Sequence, residues 1–316
     1  MRAIAITEFG GADRLEWTDV DDPLVGPDSV LIRVHAAGIN PVDYKVRQGN
    51  LTGRIPHVLP LIPGWDAAGV IEQAGPAVTA FAPGDEVYAY CRKDFVRDGT
   101  YAELVAVRDY AVAPKPAALS FEEAGGVPLA GLSALQLLRD EMRIGADERV
   151  LIHAAAGGVG SFAVQIAKDA GAHVIGTASA ANHDYLRELG ADDVVDYTGE
   201  DVVAAVRERH PDGIDAVVDL VGGDVQEQSL ELLAPGRGRL GSIIAPPDVD
   251  ALRERGFGGH YVFVRPSAAG LRDLAALADA GRLRVHLHDV VPLAEARRAH
   301  ETLEGGHVRG KIVLRP

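Results

Sequence analysis

Residues 148–170 read ERVLIHAAAGGVGSFAVQIAKDA, which places a strand, a glycine turn and a helix in immediate succession. The apolar run at 150–152 suits a strand covered on both faces, as in a parallel sheet. The strand runs into Ala155, Ala156, Gly157, Gly158, Val159 and Gly160. A glycine at 157 lets the backbone approach a pyrophosphate, and one at 160 lets the next helix pack close to the strand. Ser161 then opens a helix carrying Phe162, Ile166 and Ala170 on one face. The free N–H groups and positive dipole end of that helix favour a phosphate. Ala155 stands where the first glycine of this pattern usually lies, so the turn is a variant whose meaning rests on the segments downstream of it.

Those downstream segments alternate regularly. Strand-like segments at 173–177, 194–197, 216–220 and 240–244 are separated by helical patterns at 182–189, 201–209 and 225–233. Apolar strands alternating with helices of about ten residues imply a doubly wound parallel sheet, the α/β dinucleotide fold. In the NAD form of that fold an acidic residue lies about 20 residues after the glycines and binds the ribose 2′-hydroxyl. Here that place reads GTASAAN over 176–182. No acid is present to repel a 2′-phosphate, and Ser179 and Asn182 can donate hydrogen bonds to one. NADPH is therefore the expected cofactor. The same two residues also suit a loop and a helix N-cap, and both roles can hold together.

A chain of 316 residues exceeds the usual size of one core, so two domains are expected. The flanks differ from the centre. Over 1–117 short alternating segments such as 4–7, 30–35, 69–73 and 100–107 are separated by Pro and Gly turns, an all-β character. Pro114 and Pro116 mark a linker. Helical patterns at 119–125 and 133–139 lead into the sheet. After about residue 261 come helices at 268–280 and 293–303 and strands at 285–290 and 311–314, pieces suited to completing the first domain. The resulting division is 1–117 plus 263–316 around a dinucleotide-binding domain at 118–262.

The net charge of −15 argues against nucleic acid or an anionic membrane as partner, because both need a basic face. A single cysteine, Cys91, rules out an internal disulfide framework and a multi-cysteine metal site, and points to the cytoplasm. The N-terminal MRAIAITEFGG lacks the pattern of a signal peptide, and no segment is apolar enough to span a bilayer.

The chain resembles the medium-chain dehydrogenase/reductase superfamily, and within it the zinc-free quinone oxidoreductases, including zeta-crystallin, and the enone reductases. The likeness is carried by AAGINPVDYKVRQG (36–49), PGWDAAGVIEQAGPAV (63–78), FAPGDEVYA (81–89), the glycine turn, LGADDVVDY (189–197) and GKIVL (310–314). It covers essentially the whole chain. The resemblance implies a GroES-like, β-barrel-type catalytic domain built from both chain ends, a Rossmann domain inserted in it, the cofactor in the cleft between them, and a homodimer. Zinc alcohol dehydrogenases carry a catalytic cysteine where this chain has Asn40, and His-Glu where it has Trp65-Asp66. Zinc needs three or four N, S or O ligands in a tight geometry, so both replacements remove ligands, and no metal is expected. His35, His57 and His153 are scattered and read as core or surface residues.

Without a metal to stabilise an alkoxide, alcohol oxidation is disfavoured. Hydride addition to a quinone or to an activated C=C bond depends less on such help, because the charge is delocalised. The expected activity is NADPH-dependent reduction of a small electrophile, a quinone or enone. Asn40, at the lost ligand position, is expected to face nicotinamide and substrate, and Tyr44 and Lys45 are candidate donors to the developing oxyanion. Their alternative is a surface helix capped by Asp43. The resemblance also places Ser133 near the phosphates or the nicotinamide, Tyr197 near the 2′-phosphate, the backbones of Ser242-Ile243 and Phe263-Val264 near the nicotinamide, and Lys311 as a further phosphate contact or a strand-end charge. Two other readings stay open: an enoyl-thioester reductase, and a protein that binds NADPH without turnover.

Overall fold

The computed structural model describes residues Met1–Pro316. The chain divides into two units, Met1–Leu132 with Arg265–Gly281 and Val285–Pro316, and Ser133–Val264 with Arg282–Arg284. The division at 132/133 falls inside the helix Pro128–Leu135, which continues as a turn of π-helix over Gln136–Glu141. The sequence pattern alone put the change at 117/118, where the β character stops.

The first unit is built on a seven-stranded sheet. Its path runs Leu287–Pro292, Lys311–Arg315, Ser29–Gly38, Asp66–Ala74, Glu86–Tyr90 and Val112–Pro114, with Leu104–Arg108 paired to Ser29–Gly38 as well. Strand Ser29–Gly38 shows how the sequence selects this: Arg33 and His35 are exposed while Ile32 and Val34 point into the core, the period of a strand with one wet face. The core gathers Ile4, Val30, Ile32, Ile71, Val87, Val105, Ile312 and Leu314 from strands at both ends of the chain. The two ends are therefore joined by apolar burial, as the sequence pattern suggests.

The second unit holds the doubly wound sheet. Six strands lie in the spatial order Asp193–Asp196, His173–Ala178, Arg149–Ile152, Ala216–Asp219, Arg239–Ser242, Gly258–Tyr261, all pairs parallel. The sixth strand, GGHY, was invisible to an apolar pattern because two of its four residues are glycines. The order reverses between Arg149–Ile152 and Ala216–Asp219, and in such sheets ligands bind outside the carboxyl ends of strands at this switch. Leu151, Ile175, Val195, Val217 and Leu240 pack in the layer beneath it.

Candidate functional site

In the second unit the glycine turn leaves the carboxyl end of Arg149–Ile152 at the switch point. The helix after it spans Gly158–Asp169, starting three residues before Ser161, with Gly157 as its extended N-cap. Its first internal bond is from Ser161 N–H to the Gly157 carbonyl (2.9 Å). The N–H groups of Gly158, Val159 and Gly160 precede it and have no acceptor within the helix. A Cβ at Gly160 would stand 2.3 Å from the Ala154 carbonyl oxygen, while one at Gly157 would meet only that oxygen, at 3.3 Å. Gly160 thus sets how closely helix and strand pack, and Gly157 keeps the mouth of the turn open. Ala156 is buried beside it.

The turn is pinned from the neighbouring strand. Ala154, in the left-handed region at φ 47°, donates its N–H to Thr177 Oγ1 (3.2 Å), and Ala155 donates to the Thr177 carbonyl (3.0 Å). His153 sits behind, with Nε2 2.7 Å from Ser229 Oγ. Burial pushes its pKa down to about 4, so it is a neutral core residue.

Ser179 precedes the short helical turn Ala180–Asn182, Asn182 ends it at the N-cap of the helix His183–Glu188, and Asn182 Nδ2 donates to Ser179 Oγ at 3.3 Å. Tyr197 is half exposed after the neighbouring strand. Sequence reading overlooked Asp196, the last residue of that strand. It accepts from Thr198 N and Oγ1 (2.9 and 2.6 Å), bonds that hold its pKa below the usual carboxylate value.

A second overlooked acid organises the other side of the switch. Asp219 is fully buried and accepts from Val221 N (3.0 Å), Gly222 N, Gln226 Nε2 and Ser242 Oγ (2.8 Å each). Ser242 in turn accepts from Ile244 N and Ala245 N. One carboxylate therefore fixes the turns that succeed two adjacent strands. The available signal was an acid ending an apolar strand just before Leu-Val-Gly-Gly. Ile243 and Val264 are half-buried and Phe263 is exposed. Ser133 is buried in its helix.

In the first unit a buried polar cluster surrounds Asn40, which starts the helix Pro41–Arg47. Asn40 Nδ2 donates to Asp66 Oδ2 (2.8 Å), and Lys311 Nζ donates to Asn40 Oδ1 (2.5 Å) and to the Ile39 carbonyl (2.8 Å). Asp66 Oδ1 takes the N–H of Leu129 (2.8 Å). Asn40 is therefore engaged through both ends of its amide, and Lys311, the first residue of its strand, is a buried ammonium held by Asn40 and Ile39 rather than an exposed charge.

A chain of bonds leads away from this point. Asp43 Oδ2 accepts from Asn40 N (2.8 Å) and Tyr101 Oη (2.9 Å), and its other oxygen has no donor. His300 Nε2 lies 3.1 Å from Tyr101 Oη, and Nδ1 lies 3.1 Å from Arg47 Nη1. Arginine only donates, so Nδ1 accepts and the His300 proton sits on Nε2. Burial, reinforced by Arg47, pushes the His300 pKa down to about 3. Arg47 closes the chain on Glu304 (2.6 Å). Burial also raises the Asp43 carboxyl to about 7 and Asp66 to about 6, and lowers the Lys311 ammonium. Tyr44 and Lys45 lie half-buried on the same helix, and burial followed by Glu304 raises the Tyr44 phenol.

Comparison with known proteins fits these two arrangements. Residues 26–117 match the family described as "Alcohol dehydrogenase GroES-like domain", and 189–314 match "Zinc-binding dehydrogenase". The chain is 35% identical to the quinone oxidoreductase of Pseudomonas aeruginosa, covering 100% of this chain and 99% of that protein. It is 33% identical to the chloroplastic NADPH-dependent alkenal/one oxidoreductase of Arabidopsis thaliana, covering 100% and 80%. The crystal structure of the Escherichia coli quinone oxidoreductase complexed with NADPH superposes with a TM-score of 0.88 at 29% identity and full coverage of both chains. The resemblance read from the sequence, and the GroES-like and Rossmann architecture it implied, are thus supported independently. The chain belongs to the medium-chain dehydrogenase/reductase superfamily, in its quinone oxidoreductase and enone reductase group.

Proposed function

We propose that this protein is an NADPH-dependent reductase that adds a hydride to a quinone or to the C=C bond of an α,β-unsaturated ketone or aldehyde. The observation that carries the reading is the turn at 157–160, where a glycine cradle and the unsatisfied N–H groups of a twelve-residue helix meet at the sheet's switch point. Bound NADPH supplies the hydride. Gly158, Val159 and Gly160 would take its pyrophosphate on their N–H groups. Ser179 and Asn182 would take the 2′-phosphate, with Tyr197 beside them. Asp219, through Ser242, holds the backbone around Ile243 that this reading assigns to the nicotinamide, together with Ser133, Phe263 and Val264.

On the substrate side, Lys45 and Tyr44 would donate to the oxygen on which negative charge develops. Asn40 positions them, because its N–H and amide anchor the first turn of their helix. The donor set at Asn40 does not fit zinc. A carboxamide replaces a thiolate, its oxygen is taken by an ammonium, and both oxygens of Asp66 already accept hydrogen bonds. A divalent cation there would sit against the charge of Lys311. The reading is therefore metal-independent. No helix is long and apolar enough to cross a membrane. A single buried cysteine supports a cytoplasmic setting, and family resemblance supports a homodimer.

The test monitors NADPH absorbance, with NADH in parallel, against an acyclic enone, a para-quinone, a simple ketone and an enoyl thioester, each with and without a chelator. Turnover of enone or quinone with NADPH, insensitive to chelator, is expected. Turnover of the ketone alone, abolished by chelator, would make the protein a zinc alcohol dehydrogenase, and turnover of the thioester alone an enoyl reductase.

A further inference from the structure

At the opposite edge of the parallel sheet from the glycine turn, where the strands begin, two imidazoles converge on one carboxylate. His173 is the first residue of His173–Ala178, Asp193 the first of Asp193–Asp196, and His210 the C-cap of the helix Val202–Arg209. His173 Nε2 lies 2.8 Å and His210 Nε2 3.1 Å from the same oxygen, Asp193 Oδ2. The three ligand atoms fall within 4.8 Å of one another.

We propose that His173, Asp193 and His210 form a binding site for a divalent transition-metal ion of zinc type. Two imidazole nitrogens and one carboxylate oxygen suit such an ion and leave a coordination position for water. Ligand atoms around tetrahedral zinc stand about 3.3 Å apart, so closing the trio requires side-chain rotations of about 1–2 Å. Partly exposed side chains make such rotations readily, and the side chains of His173 and Asp193 are 39% and 30% exposed.

The surroundings favour a cation here. Asp192 Oδ2 stands 3.9 Å from the outer nitrogen of His173, beyond hydrogen-bond distance, and sets a carboxylate beside the ring. The carboxyl end of the helix carrying His210 directs its negative dipole end at the site. Asp147 and Asp192 line the same open cavity, of about 480 Å³. Two cations also line it: Lys168 is paired there with Asp192 (2.7 Å) and the Ala172 carbonyl, which leaves Asp147 and Asp193 as the acids free of a lysine or arginine partner, and Arg149 donates to the Gly213 carbonyl (3.2 Å). The three ligands come from separate elements of one unit, so a bound ion would clamp two strand starts to a helix end. Its role is structural, away from the cofactor turn.

The test uses the full chain, freed of metal and titrated with Co²⁺ as a spectroscopic probe and with Zn²⁺ by calorimetry, beside the variants His173→Gln and His210→Gln. One ion per chain is expected, with cobalt ligand-field bands of a nitrogen and oxygen site. Each variant should weaken binding by about 10- to 100-fold or more. NADPH affinity, measured on the same samples, should stay within twofold, which also reports that the variants are folded. Zinc should raise the thermal midpoint of the wild type and of neither variant. Absence of binding by the wild type, or binding that both variants leave unchanged, would overturn the proposal.

Discussion

Lys311 donates from Nζ to Oδ1 of Asn40, a residue 271 positions away in the chain. Both are buried, and the ammonium is the one cation set against the carboxylates of Asp66 and Asp43. Removing it leaves buried acceptors without a donor and buried negative charge without a counterion. Lys311→Met is therefore expected to cost about 3–5 kcal/mol of stability. Adding Asp66→Asn should restore part of the loss, since it removes one of the stranded charges. Urea unfolding of the two variants and the wild type measures both effects, and an unchanged midpoint in Lys311→Met would contradict the account.

Asp43 imposes a pH dependence of known sign. Its carboxyl has an ordinary value of 3.8 and is raised to about 7 in the fold, first by burial. Between these values the folded state holds a proton that the unfolded chain has released. Its contribution is fully present below about pH 4 and is lost as pH rises to about 7, at up to about 1.4 kcal/mol per pH unit. Asp43→Asn keeps an acceptor for Asn40 N and Tyr101 and does not titrate. The stability of the wild type relative to Asp43→Asn should fall between about pH 4.5 and about pH 7.5, and a difference that stays flat in urea titrations at both pH values would count against the raised value.

The two glycines of the turn should respond differently to alanine. At Gly160 the new methyl stands 2.3 Å from the Ala154 carbonyl oxygen, so helix and strand must separate, at a cost of about 1–3 kcal/mol together with lost NADPH affinity. At Gly157 the one near atom is the Ala154 carbonyl oxygen at 3.3 Å, a tight contact that a small local shift relieves, so the stability loss is smaller than at Gly160 and the larger effect appears in cofactor affinity. Thermal unfolding and NADPH fluorescence titration separate the two outcomes.

Ser179 sits where the NAD form of the fold carries an acid. Ser179→Asp should turn the preference from NADPH towards NADH, because a carboxylate repels the 2′-phosphate and accepts from a ribose hydroxyl. A change of about tenfold or more in the ratio of kcat/KM values is expected, corresponding to about 1.4 kcal/mol. A ratio that does not move would remove Ser179 from the cofactor site.

Lys45 is assigned to the oxyanion. Lys45→Ala should lower kcat/KM for an enone by about 10² to 10³ with folding stability unchanged, since the side chain is only half-buried. Activity equal to wild type would return Lys45 to the role of a surface helix residue.

The glycine turn, its helix and the alternating strands were legible because each is made from contiguous residues. A pyrophosphate-binding turn needs glycines at fixed spacing and a helix start, and all of these lie within 148–170. The helix start was misread by three residues because Gly158 and Gly160 look like turn rather than helix, yet the lack of a Cβ at Gly160 is what lets that helix pack against Ala154 and Ala155. The strand Gly258–Tyr261 was missed for a related reason: the neighbouring Arg239–Ser242 supplies its hydrogen bonds, and its own side chains carry little pattern.

The polar clusters belong to another level. Asn40, Asp66 and Lys311 were noticed separately, one as a substitute for a metal ligand, one as a departure from a motif and one as a phosphate contact or a strand-end charge. Asp219 and Asp196 went unremarked, as did the meeting of His173, Asp193 and His210. Fold class, family and the place of the phosphate turn are written into the order of residues, since local periodicity and short motifs encode them directly. Tertiary structure decided which polar groups share a partner and which way their protonation shifts. Desolvation and hydrogen bonding depend on what surrounds an atom in space, and around Asn40 the decisive neighbour arrives from the last strand of the chain.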